Sequence, residues 1–304
     1  MKESVCLALV QLAWSGSIAS MQDQYREMIG EATRRGVQMI CLPEISLNPY
    51  FPGTRSVNGF SWAEPLPGGV SERFFSEMAR LHKVTLIGSL YEQAPDGGLF
   101  DTVTTHGPDG NLTGITRKVH IPSGPGYHET DFFAGSDTYP VFDTGPLKIA
   151  TPTCYDQWFP ELARIYALNG AELIAYPTAI GDDLTDRAID YADAWETIMR
   201  GHAIANGVFV AAINRVGTEN GVEFFGGSFI CDPMGTVLAR AGKGSTEIIM
   251  ATLDPASISR WRGLFPLLHQ RRPETYTQIL QKWTGDTPPN WMEETPLRRT
   301  KPSH

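Results

Sequence analysis

Residues Lys148 to Ile180 read KIATPTCYDQWFPELARIYALNGAELIAYPTAI. A strand-like apolar run leads into one thiol, Cys154. A polar elbow, Tyr155-Asp156-Gln157, follows, then a helix-like segment, then a second apolar run. Strand, elbow, helix and strand in this order form the repeating unit of a layered α/β fold. The place of the thiol matters. Backbone N–H groups at a helix start stabilise negative charge, so Cys154 reads as a nucleophile rather than a core residue.

The same pattern extends outward. "VCLALVQLAW" reads as a buried strand, "SMQDQYREMIGEATRRG" as a helix with Ser20 as N-cap and Gly36 as stop, and "VQMICLPEI" as the next strand. "GVSERFFSEMARLHK" is a second helix and "VTLIGSLYEQ" a third strand. "LFDTVTTHGPDGNLTGITRKV" turns back at Gly-Pro-Asp-Gly as a hairpin. After the opening stretch, "DYADAWETIMRGHAIANG" is a long helix and "VFVAAINRVG" a strand. "FFGGSFICDPMGTVLARAG" is a hairpin turning at Asp232-Pro-Met-Gly, and "TEIIMATLD" closes the regular part. Two similar half-patterns predict two sheets packed face to face with helices outside, in one domain over residues 1–282. Residues 283–304, rich in Pro, Thr and charge, read as a tail that is loose or lies on a partner subunit.

Composition narrows the function classes. The 304 residues are 41% hydrophobic, enough for a sizeable core. A formal net charge of −9 argues against a nucleic-acid partner or an anionic membrane surface. The short apolar run at the N-terminus neither spans a membrane nor precedes a cleavage pattern, which predicts a cytoplasmic protein. The four cysteines are too sparse for a disulfide scaffold, and Cys6, Cys41 and Cys231 sit in apolar runs as small buried hydrophobes. The histidines show no metal-ligand spacing and no nucleotide-binding glycine motif is present, so neither metal nor cofactor is expected. His202 reads as a helix-packing residue, whereas His120 and His128 flank the lysine loop and are candidates to line a pocket.

Three strands end on a reactive side chain: Glu44 in "MICLPEI", Lys118 in "GITRKVHIPSGPGYHE" and Cys154. Base, cation and thiol just beyond strand ends are where α/β folds place their sites. These segments, with "GAELIAYPTAIG" and "RGHAIANGVFVAAINRVG", resemble the nitrilase superfamily of carbon–nitrogen hydrolases, most closely its N-carbamoylputrescine amidase branch. The resemblance implies a four-layer αββα sandwich, a homodimer or higher homo-oligomer, and a catalytic triad falling on Glu44, Lys118 and Cys154. It also implies a second glutamate after the lysine, which falls on Glu129. In that chemistry a thiolate attacks a carbon bonded to nitrogen and an oxyanion forms beside Lys118 and the Tyr155 N–H.

Substrate choice is read from the loops. Members that act on N-carbamoyl amino acids commonly carry an arginine beyond the cysteine; here Gln157 and Trp158 stand there. That favours an amine-ended substrate such as N-carbamoylputrescine. Asp182 and its acidic neighbours could face an ammonium, and Tyr50, His128, Tyr155 and Trp158 could shape the pocket. The segment after "YPTAIG" departs from the branch and carries Arg187, which could instead clamp a carboxylate. The alternatives are the same machinery on an N-carbamoyl amino acid (N-carbamoyl-β-alanine or a D-amino acid derivative), a simple amide or a nitrile, and a non-catalytic binding member. A thiol–disulfide oxidoreductase lacks a nearby resolving cysteine.

Overall fold

In the computed structural model, which describes residues 3–183 and 190–301, the apolar strand runs assemble into two stacked sheets. The first runs in the order Glu247–Leu253, Val5–Gln11, Met39–Cys41, Thr85–Gln93, Leu99–His106, Leu112–Arg117. The second runs Val237–Arg240, Phe229–Cys231, Phe209–Ile213, Leu173–Pro177, Lys148–Ala150, Phe142–Asp143. Central pairs in both are parallel, for example Leu7 opposite Met39 and Ile149 opposite Leu173. Outer pairs are antiparallel. Parallel neighbours need long crossovers, and helices supply them.

Those helices are α1 (Ile18–Arg34) and α2 (Val70–His82) on the first sheet, and α3 (Pro160–Leu168) and α4 (Tyr191–Asn206) on the second. Each buries an apolar stripe at helical spacing: Met21, Tyr25, Ile29 and Ala32 on α1, and Trp195, Met199 and Ala203 on α4. Because every central strand is covered on both faces, its sequence is a continuous apolar run rather than an alternation. In Val5–Gln11, Val5, Leu7 and Leu9 face the opposite sheet, packing with Phe209, Ala211 and Ile213, while Ala8 and Val10 face α1 and α2. The layers are therefore helix, sheet, sheet, helix, the αββα sandwich expected from the sequence.

Three local expectations need correction. The N-cap of α1 is Ser17, whose hydroxyl accepts the Ser20 N–H at 3.1 Å; Ser20 itself lies inside the helix. A fifth helix, α5 (Ala256–Leu264), follows the last strand. Only Ile258 of it is buried, so it carries almost no apolar periodicity to read. A small third sheet joins Gly181–Asp183, Val222–Phe225 and Val216–Glu219. Its hairpin turns at Asn220-Gly221, both at positive φ, a turn signal present in the sequence but overlooked. Among the described residues no helix is long and apolar enough to cross a membrane.

The inter-sheet layer fixes how the strand ends meet. Leu9→Ala, in its centre, is expected to cost about 2–5 kcal/mol in urea unfolding, whereas Leu238→Ala, at a half-exposed edge position, is expected to stay within about 0.5 kcal/mol. Equal losses at both positions would contradict this division of the core.

Candidate active site

Four buried charged side chains from the first sheet and its loops converge beside the strand ends of the second. Glu44 lies just beyond Met39–Cys41, and its N–H reaches across to Thr178 O beyond the strand Leu173–Pro177, at 3.4 Å. The next residue, Ile45, is held at a positive φ of 48°, and its N–H is taken by Ser89 Oγ at 2.9 Å. Lys118 follows Leu112–Arg117, and Glu129 opens a short 3₁₀ turn on the loop beyond it. Lys118 Nζ donates to Glu44 Oε1 at 2.7 Å and to Glu129 Oε2 at 2.5 Å. The fourth member was not anticipated: Asp101 Oδ2 lies 3.5 Å from the same ammonium, and Asp101 Oδ1 accepts from Ser89 Oγ at 3.1 Å. Asp101 lies within the strand "LFDTVTTH" rather than beyond its end, so it lacks the strand-end position that marks the other reactive residues.

All four side chains are fully buried. Fully ionised they would carry three negative charges against one positive. Burial, the proximity of Asp101 and that of Glu129 push the Glu44 carboxyl well above the usual range, against the pull of Lys118. Burial raises Glu129 as well, again with Lys118 opposing. Burial alone would lower Lys118, but the carboxylates Glu129 and Glu44, then Cys154 and Asp101, hold its ammonium well above its ordinary value. Glu44, Asp101 and Glu129 are also the donor set that could hold a metal ion; Lys118 Nζ sits among them and supplies the positive charge itself.

Cys154 opens a five-residue 3₁₀ turn, and α3 begins only at Pro160. The thiol therefore stands at the start of a tight turn rather than at the end of a long helix. Its backbone has φ 34°, a left-handed conformation rare outside glycine and often associated with functional sites. Within the turn Asp156 Oδ2 accepts the Thr153 N–H at 3.4 Å, and the Asp156 N–H bonds Thr153 O at 2.9 Å. Asp156 does more, since its buried carboxylate also accepts the Val119 N–H at 3.2 Å and the His120 N–H at 2.8 Å. It thereby fixes the cysteine turn against the lysine loop. His120 Nδ1 lies 2.9 Å from the accepting Asp156 Oδ1 and its ring stacks flat on Phe159, and His202 Nε2 meets Gln157 O at 2.8 Å. Both histidines brace the turn. The thiol is 5% exposed, and burial, then Glu44, raise its pKa well above normal while Lys118 lowers it. Its Sγ donates to Ala179 O at 3.8 Å.

A cleft of about 420 Å³ opens onto Cys154. Tyr155 and Trp158 line it, as expected, together with Tyr127, Ile180, Tyr191 and Trp291, which were not singled out. No described lining residue is charged. Other candidates lie elsewhere. Tyr50 is buried behind the cleft, donating to Glu129 Oε1 at 2.7 Å. His128 is not on the cleft wall; its backbone N–H binds Pro52 O, and its ring lies in the field of Arg55 and Asp131. Asp182 pairs through its backbone with Glu223 in the small sheet and does not line the cleft. Asp190 caps α4. Arg187 lies outside the described residues.

Removing the cation from this cluster should be costly. Lys118→Met is expected to destabilise the fold by about 3–5 kcal/mol, since it leaves buried carboxylates unpaired. They would then hold protons that the unfolded chain releases, so the loss should be larger at pH 8 than at pH 5. Thermal unfolding at the two pH values measures this; an equal loss at both would mean the carboxylates stay uncharged regardless of Lys118.

Comparison with known proteins agrees with this architecture. The carbon–nitrogen hydrolase family model matches residues 6–263. A citrullinase from Francisella tularensis is 34% identical over 286 residues, covering 92% of this chain and 99% of that protein. An N-carbamoylputrescine amidase from Arabidopsis thaliana is 34% identical over 288 residues, covering 92% and 96%. The crystal structure of a carbon–nitrogen hydrolase from Helicobacter pylori G27 superposes with a TM-score of 0.88 at 32% identity, covering 93% of this chain and all of that one. With both sheets, their order and the strand-end positions of its reactive residues in place, the chain belongs to the carbon–nitrogen hydrolase family of the nitrilase superfamily.

Proposed function

We propose that this enzyme hydrolyses the ureido group of a short linear N-carbamoyl amine, with Cys154 as nucleophile. The observation that carries the reading is that Cys154, on the cleft wall at a positive φ, sits on a turn that Asp156 ties to the loop of Lys118, whose ammonium bonds Glu44 and Glu129. A thiol with a raised pKa attacks poorly unless a base takes its proton during attack. Glu44, itself raised towards the thiol, is suited to that transfer. As Sγ bonds to the carbonyl carbon, the oxygen becomes an oxyanion. Lys118 Nζ and the Tyr155 N–H are the donors assigned to it, each of this kind worth about 3 kcal/mol. Glu44 returns the proton to the departing nitrogen, and the carbonyl re-forms as an S-linked thiocarbamate that keeps the other nitrogen. Water then adds, Glu44 takes its proton, and Sγ leaves as thiol. The carbamic acid or carbamate so formed breaks down, giving amine, carbon dioxide and ammonia in total. Glu129, held by Tyr50, keeps Lys118 aligned.

The amine-ended substrate is favoured by the cleft. Its walls are aromatic, and aromatic faces attract an ammonium. The N-carbamoylputrescine amidase relative is named for an amine-ended ureido compound, which supports the same choice; the citrullinase supports the ureido group but not the bare amine end, since citrulline also carries a carboxylate. The exposed Phe265, Ile279, Leu280 and Trp283 support packing of that stretch against a second copy. Four free cysteines suit a reducing, cytoplasmic setting.

Ammonia and carbon dioxide release should be measured with N-carbamoylputrescine, citrulline, N-carbamoyl-β-alanine and a simple amide. Turnover of N-carbamoylputrescine, abolished in Cys154→Ala, is expected. Turnover of N-carbamoyl-β-alanine alone would overturn the amine reading while leaving the nucleophile in place.

The pH profile gives a second check. Glu44 must be ionised to act, so the acid limb of kcat/KM should lie above the ordinary glutamate value of about 4.3. Asp101 is among the charges raising Glu44. Asp101→Asn removes that charge and should move the limb to lower pH. An unmoved limb would separate Asp101 from the base.

A further inference from the structure

The C-terminal segment 291–299 has no regular secondary structure, yet it is tied closely to the loop that carries Lys118 and Glu129. Glu293 N–H donates to Ser123 Oγ at 2.8 Å, and the Glu293 carboxylate bridges Arg55 Nη2 at 2.7 Å and Thr130 Oγ1 at 2.9 Å. Thr295 Oγ1 accepts the Ile121 N–H at 3.3 Å, Pro296 O the Gly135 N–H at 2.8 Å, and Arg299 O the Leu99 N–H at 3.0 Å. Arg299 Nε donates to Thr130 O at 2.6 Å, one residue from Glu129. This strap holds Trp291 at the cleft mouth.

The Trp291 ring lies against Gly124, where an added Cβ would come within 2.8 Å of Cε3; Gly124 also has a φ of +115°. The ring packs on the loop on one side, is about half exposed, and shares the cleft wall with Cys154, Tyr127, Trp158 and Tyr191. A tethered aromatic plane presents apolar and cation-attracting area at low entropic cost.

We propose that Trp291 is a specificity-determining residue: its indole forms the outer wall of the Cys154 cleft and grips the chain or ammonium end of the substrate. The proposal rests on Cys154 being the nucleophile that meets substrate in this cleft. It does not require any one substrate, since the wall acts on any group that reaches the thiol.

The test uses the full-length protein, Trp291→Phe, Trp291→Leu and Trp291→Ala, each checked for native circular dichroism. Alkylation of Cys154 by iodoacetamide and by the bulkier N-phenylmaleimide is followed by peptide mass spectrometry. Opening the wall should raise the maleimide-to-iodoacetamide rate ratio about fivefold in Trp291→Ala and less in Trp291→Leu, with Trp291→Phe near the parent. On whichever ureido compound is turned over, Trp291→Ala should raise KM about tenfold with kcat little changed. A raised ratio without turnover of any tested compound would support the wall and count against the substrate reading alone. An unchanged ratio in Trp291→Leu and Trp291→Ala would overturn the proposal even if the substrate reading holds. A fall in kcat with KM and the ratio unchanged would also overturn it, leaving the segment only a brace for the lysine loop. If Trp291→Ala does not fold, Trp291→Leu against Trp291→Phe decides.

Discussion

The Lys118 ammonium, surrounded by three buried carboxylates, is the constraint on which the site depends. Desolvating one ion costs several kcal/mol, and this cluster desolvates four groups at once. Such an arrangement is tolerated only if the partners are held at short range by something rigid. The first sheet provides that rigidity. Glu44 follows one of its strands, Lys118 another, Asp101 lies within a third, and Glu129 is anchored by Tyr50. A shift of one of these strands against its neighbours would lengthen the bonds of 2.5 and 2.7 Å. Stability of the core and poise of the chemistry therefore rest on the same packing.

The thiol is held by a different set of contacts. Its turn carries a positive φ, is closed by the bonds between Thr153 and Asp156, and is braced by His120 and His202. Asp156 joins the turn to the lysine loop through two backbone N–H groups, so the two halves of the site cannot drift independently. Ionic cluster and strained turn meet at the cleft, where Cys154 reaches the wall while the charged groups stay behind it, out of water. Separation of a wet, aromatic mouth from a dry, charged floor strengthens every electrostatic interaction in the floor.

Much of this was legible in the chain. Continuous apolar runs announced strands covered on both faces, and Gly-Pro-Asp-Gly and Asp-Pro-Met-Gly announced hairpins that formed. Glu44, Lys118 and Cys154 stood out because each ends an apolar run, where a reactive side chain is free to point into a site. Less visible were features with weak local signals. Ser17 rather than Ser20 caps α1, because either serine suits the cap and only the backbone chooses between them. Helix α5 buries one residue and leaves no stripe to detect. Tyr50 and His128 were reasonable pocket candidates from their loops, but the chain turns one behind the cleft and the other towards Arg55.

The sequence by itself determined the layered architecture and the chemical identity of the thiol, cation and carboxylates, because periodicity and residue type are local properties. Only the tertiary structure decided which groups share one desolvated volume. Asp101 lies 17 residues before Lys118 in a strand that looks like any other, and Trp291 lies 137 residues after Cys154. Their nearness arises from hairpin register in the first case, with the Lys118 N–H on Asp101 O at 3.0 Å, and from a strap of hydrogen bonds in the second. Residue type alone sets neither the register nor the strap.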